Sequence, residues 1–168
     1  MLFCLNGSRK LGVAVADQLG WPLSAHEERE FESGEHKARP LVEVGDREVY
    51  LLHHLEGEAS LPDQPTRSAN DKLIRTLFFI GALKQAGARS VTAVTPYLPY
   101  ARKDRRTKSR DPVSMRYVAS LFEAMGTDAL VTLDIHNLAA FENAFRSCRA
   151  ENLTAAEIVA DAMIGTLG

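Results

Sequence analysis

Cysteine is scarce in this 168-residue chain, and so are long apolar runs and any surplus of charge. Two cysteines, Cys4 and Cys148, lack metal-ligand spacing and a disulfide-rich setting, so both read as reduced thiols. No apolar stretch approaches the roughly 20 residues that cross a bilayer. The opening MLFCLNGSRK has no basic region ahead of its apolar run and breaks that run at Asn6, so it does not read as a signal peptide. A formal net charge of −2 and a pI near 6.2 argue against a nucleic-acid module. No internal repeat or low-complexity tract interrupts the chain. With 45% hydrophobic and 25% charged residues, the composition suits one soluble, cytoplasmic globular domain with a real core.

Charge that is globally balanced is locally uneven. Between Ala101 and Asp111 stand Arg102, Lys103, Arg105, Arg106, Lys108 and Arg110, with Asp104 the one carboxylate inside the run. Crowding cations costs self-repulsion unless an anion shares the site, and the anion this points to is phosphate. The run follows Val91 to Thr95, a short β-branched segment ending at Pro96, the pattern of a central strand in a parallel sheet. Ligands collect beyond the carboxyl ends of such strands. Tyr97, Pro99 and Tyr100 stiffen the base of the loop, and Pro112 anchors its far end. A second strand, Ala129 to Leu133, runs into Asp134, Ile135 and His136. Strand alternation would turn Asp134 and His136 to one side, where a carboxylate and an imidazole can face one ligand or metal.

The remaining chain alternates strands and helices. Strands are expected at Leu2 to Leu5 and Val49 to His53, and helices at Arg9 to Leu19, Asn70 to Gly87, Val113 to Met125 and Thr154 to Leu167. Asn70 is the expected cap of the second helix, and Thr154 with Glu157 forms an expected capping box for the last. Ala25 to Phe31 and Glu35 to Val44 read as a charged pair of edge strands. Glu56 to Ser68 is the longest irregular connection, read as a mobile or partner-contacting loop. The pattern predicts an α/β, doubly wound, mostly parallel sheet flanked by helices, with an edge hairpin.

These segments, in this order, resemble the ribose-phosphate pyrophosphokinases, or phosphoribosyl pyrophosphate synthetases. The resemblance is carried by Leu2 to Leu11, by Phe31-Glu32-Ser33-Gly34-Glu35, and by Asn70-Asp71-Lys72-Leu73. It continues through Pro96 to Arg105, Pro112-Val113-Ser114, Gly126, Asp134-Ile135-His136 and Asn152 to Ala155. It implies a phosphoribosyltransferase-like fold and an enzyme that moves the β,γ-diphosphoryl group of ATP to ribose 5-phosphate with Mg²⁺. It further implies ATP contacts at Phe31, Ser33, Gly34, Glu35, Arg102, Lys103 and Asp104, metal contact at His136 with Asp134 as a second candidate, and self-association as a homodimer or larger, up to the family's hexamer. Three positions depart from the family pattern: Ser33 replaces Asp, Lys103 replaces Gln, and Gly45 stands where a regulatory Arg follows Val44. These enzymes resemble a tandem of two α/β domains. The 168 residues read as the amino-terminal one, with the catalytic residues expected in the second. A non-catalytic regulatory homologue is the alternative.

Overall fold

A computed structural model describes residues 1–58 and 67–167. Its main sheet has five strands, β1 (Leu2–Cys4), β4 (Glu48–Leu52), β5 (Ser90–Val94), β6 (Ala129–Leu133) and β7 (Arg149–Leu153), side by side in that order. All four pairings are parallel, so helices must carry the chain back across the sheet. Those helices are α1 (Arg9–Leu19), α2 (Ala69–Gln85), α3 (Ser114–Ala124) and α4 (Leu138–Glu142), and α5 (Ala156–Leu167) follows the last strand. Strands β2 (His26–Glu30) and β3 (His36–Pro40) pair antiparallel in a sheet of their own. The hairpin therefore does not extend the main sheet.

Alternation along each strand divides the apolar residues between two faces. Phe3, Leu51, Val91, Ala93 and Leu130 belong to a large core with Leu73, Leu77, Ile80 and Leu83 of α2 and Met115, Val118 and Phe122 of α3. Leu2, Cys4 and Leu52 form a smaller cluster with Ala16 of α1. Gly12 is what lets α1 approach, because a Cβ there would overlap Cys4 Sγ. Burial pushes the Cys4 thiol up to about 11 and the Cys148 thiol up to about 12, which makes both unreactive.

The hairpin is fastened to α2. His36 stacks on Phe78 at 5.5 Å and His26 meets Phe79 at 5.6 Å. Glu30 accepts from the buried Arg75 at 2.7 Å and from Arg67 at 2.9 Å. Beneath it, His53 at the end of β4 is 1% exposed, and its Nδ1 lies 2.8 Å from Thr76 Oγ1. The Thr76 hydroxyl already donates to Lys72 O, so Nδ1 carries the proton and donates. Burial pushes this imidazole down to about 3.

Several elements differ from the sequence expectation. Helix α2 starts one residue earlier and is capped by Ser68, whose hydroxyl accepts from Asp71 N at 3.1 Å while Asp71 accepts from Ser68 N at 3.0 Å. Asn70 is thereby free to accept from Tyr100 OH. Helix α5 begins at Ala156, whose N–H donates to Thr154 Oγ1 at 3.2 Å. Strand β7 and the short α4 were not anticipated. Of the connection from Glu56 to Ser68, residues 59–66 lie outside the described residues. Helix α5 presents Ile158, Val159, Met163 and Ile164 to solvent. No helix among the described residues is long and apolar enough to cross a membrane.

Candidate active site

Beyond the carboxyl ends of β5 and β6, the loop from Pro96 and the turn at Asp134 enclose a cavity of about 330 Å³. Tyr97, Tyr100 and Arg102 line it from the loop; Asp134, Ile135 and His136 line it from the turn. Two non-glycine residues on its rim take left-handed backbone, Tyr100 at φ 65° and Asp134 at φ 46°. Such geometry costs on the order of 1–3 kcal/mol per residue and persists where surrounding contacts enforce it. Here the Tyr100–Asn70 hydrogen bond holds the loop base to α2. At the other rim, Asp134 Oδ1 accepts from Ala155 N at 3.3 Å and Ile135 N donates to Asn152 Oδ1 at 2.8 Å. The anchoring of this turn thus comes from Asn152 within β7 and from Ala155 just after it.

The cations of the loop sort into two kinds. Lys103 Nζ donates to Asp111 Oδ2 at 2.7 Å, and the same oxygen accepts from Thr107 Oγ1 at 2.7 Å, Lys108 N at 3.0 Å and Thr107 N at 3.2 Å. Lys103 and this donor set hold the Asp111 carboxyl well below the usual range. Arg102, Arg105, Arg106, Lys108 and Arg110 make no ion pair among the described residues. Of these, Arg102 lines the cavity. Asp104 faces the β6 turn instead: it accepts from Asn137 Nδ2 at 2.6 Å, which lowers its carboxyl. The structure therefore brings Arg102, Asp134 and His136 together, while the side chains of Lys103 and Asp104 are engaged in holding the loop.

The hairpin residues lie apart. Phe31, Gly34 and Glu35 line a second cavity of about 460 Å³ with His36, Asn70, Asp71, Ile74 and Phe78. Gly34 occupies φ 83°, as the tight turn requires. Ser33 Oγ donates to Glu35 Oε2 at 3.1 Å, and the Arg29 guanidinium sits 5.5 Å from the Phe31 ring. Asn70, which lines this second cavity, is bonded to Tyr100, which lines the first.

No cluster of three or more His, Cys, Asp or Glu able to hold a metal occurs among the described residues. His136 and Asp134 offer two protein donors at most. That donor set suits a cation such as Mg²⁺ that keeps much of its water and takes phosphate oxygens.

A parallel α/β sheet with a cationic loop and a His-bearing turn over its central strands defines a doubly wound domain with its ligand crevice at the carboxyl edge. A family model described as the N-terminal domain of ribose phosphate pyrophosphokinase matches residues 1–126. Ribose-phosphate pyrophosphokinase 1 of Streptococcus agalactiae is 34% identical over 160 residues, covering 95% of this chain and 46% of that protein. The protein of the same name from Streptococcus pneumoniae is 34% identical over 161 residues with the same coverage. Phosphoribosylpyrophosphate synthetase from Mycobacterium smegmatis superposes with a TM-score of 0.81 at 29% identity, over 97% of this chain and 51% of that one. The chain belongs to the ribose phosphate pyrophosphokinase family and corresponds to its amino-terminal domain. It spans about half the length of the relatives it matches.

Proposed function

We propose that this domain is the donor-binding half of an Mg²⁺-dependent diphosphotransferase, one that moves the β,γ-diphosphoryl group of ATP to C1 of ribose 5-phosphate. The observation that carries this reading is Arg102, a cation without an ion-pair partner among the described residues, lining one cavity with His136. Charge develops on the equatorial oxygens of a phosphoryl centre under attack, and a cation fixed beside them stabilises it without reorganising. Arg102 supplies that charge, held by the Tyr100 anchor. His136 and Asp134 are the residues that would hold Mg²⁺ or its water, and the cation, when bound, would neutralise phosphate charge. The acceptor site and the residues of the transfer step lie in the half of the relatives that this chain does not cover.

Adenine recognition falls to Phe31, Gly34 and Glu35. Because they line a different cavity from Arg102, a second copy of the chain supplies them, as it would in a homodimer or larger assembly. Helix α5, whose apolar residues stand in solvent, is the surface on which the second domain packs. A regulatory, non-catalytic homologue is the competing reading. It is favoured by the engagement of Lys103 with Asp111 and of Ser33 with Glu35, which removes two polar groups from ligand contact.

Purified residues 1–168 should bind Mg·ATP yet form no phosphoribosyl pyrophosphate from ATP, Mg²⁺ and ribose 5-phosphate. Robust turnover by this chain would refute the division of labour between the halves.

A further inference from the structure

The cationic loop is fixed to the β6 turn through one residue that lies outside the motifs carrying the family resemblance. Asn137 follows His136 directly, and its two amide ends are both engaged. Its Oδ1 accepts from Ala140 N at 3.2 Å, capping α4, and its Nδ2 donates to Asp104 Oδ2 at 2.6 Å. The cap settles which end of the amide is which: the oxygen is held by the helix, so the nitrogen must point at the loop. Asp104 stands two residues after Arg102. Among the described residues this is the side-chain hydrogen bond that joins the loop from Ala101 to Asp111 to the His136 turn. The loop's other carboxylate, Asp111, closes on the loop itself. Around Asp104 lie Arg105 on the loop and His136 on the turn. Arg116 of α3 shares a cavity with both Asp104 and Asn137.

We propose that Asn137 is a positioning residue that clamps the cationic loop onto the β6 turn and thereby sets where Arg102 stands relative to His136. This rests on the reading of that cavity as the nucleotide-phosphate site. A charge-assisted hydrogen bond held by a preformed cap costs little entropy to form, so it restrains the loop more than a free surface pair would. Asp104 then serves the site through Asn137 and not by touching the nucleotide.

The test exchanges donor and acceptor. Asn137→Asp keeps a capping carboxylate for α4 but sets it against Asp104, so the clamp is lost while the helix remains. Hydrogen exchange at the amides of Lys103, Thr107 and Lys108 should accelerate by about tenfold or more in this variant. Core amides of β5 and β6 should be unaffected. The double variant Asp104→Asn with Asn137→Asp rebuilds the bond in the opposite sense and should bring exchange back to within about threefold of wild type. Unchanged loop exchange in Asn137→Asp, or no recovery in the double variant, overturns the clamp. Calorimetric titration with Mg·ATP forms the second arm: binding weakens in Asn137→Asp and recovers in part in the double variant. If the wild-type chain fails to bind Mg·ATP while the exchange pattern holds, the nucleotide reading is overturned and the clamp stands on its own. If Mg·ATP affinity is equal in wild type and Asn137→Asp despite faster loop exchange, the clamp does not position Arg102 and the proposal fails.

Discussion

Mild acid should loosen this domain before its carboxylates titrate, because His53 is folded in its neutral form. Its imidazole donates to Thr76 from Nδ1, is 1% exposed, and has its pKa pushed from 6.5 to about 3. The unfolded chain therefore binds a proton near pH 6.5 that the folded chain refuses until about pH 3. A folded pKa below the unfolded one, for a base, means that stability is full above the unfolded value and falls as pH drops through it. Each pH unit in that window is worth about 1.4 kcal/mol, so lowering pH from 7 to 5 should remove about 2 kcal/mol. His36 moves in the same direction, since burial and Arg75 lower its pKa, and it adds to the slope. The lowered carboxylates Glu28, Glu58 and Asp71 begin to act only below about pH 4.5. Urea unfolding at pH 7, 6 and 5 measures the effect. His53→Asn places a non-titrating amide donor near Thr76 and should flatten most of the slope. Equal pH slopes for wild type and His53→Asn would show that the buried imidazole is not the acid-sensitive group.

Four further substitutions probe the fold and the site. Glu123 is raised by burial but lowered more by accepting from Arg146 N at 2.7 Å, Ser147 N at 2.6 Å and Cys148 N at 3.0 Å, for a net value of about 2; Glu123→Gln should cost about 1.5–3 kcal/mol at pH 7 in denaturant unfolding, and the wild-type contribution should fade as pH falls from 4.5 towards 2. Gly12→Ala forces a methyl against Cys4 Sγ and should cost about 1–3 kcal/mol, read as a lower thermal midpoint. Arg102→Ala should weaken Mg·ATP binding and, in a protein carrying both halves, should cost diphosphoryl transfer about 3 kcal/mol of transition-state stabilisation, against well under 1 kcal/mol for Arg110→Ala at the far end of the loop. Equal losses in the two variants would mean that the loop acts as a diffuse field.

Helix α1 and strand β6 are bounded in the structure where the sequence pattern bounds them, because Arg9 to Leu19 ends at a left-handed Gly20 and Ala129 to Leu133 is an apolar, β-branched run. Strand β7 was not legible, since Arg-Ala-Glu-Asn-Leu alternates polar residues at the edge of the sheet and carries almost no hydrophobic signal. The five residues of α4 are too few for a helical period to register. At the site, the sequence pattern put Arg102 and His136 each just beyond the carboxyl end of a strand, and the structure places both on one cavity. Which loop cations are engaged was beyond sequence reasoning, because it depends on where Asp111 folds back and on Asn137 meeting Asp104 across 33 positions.

The central claim, that Arg102 and His136 flank the nucleotide phosphates, is tested most directly by a crystal structure of this chain with Mg²⁺ and a non-hydrolysable ATP analogue. The terminal phosphates should lie within hydrogen-bond distance of Arg102, with the cation or its water shell beside His136. A triphosphate seated instead on Arg105, Arg106 and Arg110, or an analogue bound with Arg102 and His136 both untouched, would contradict it.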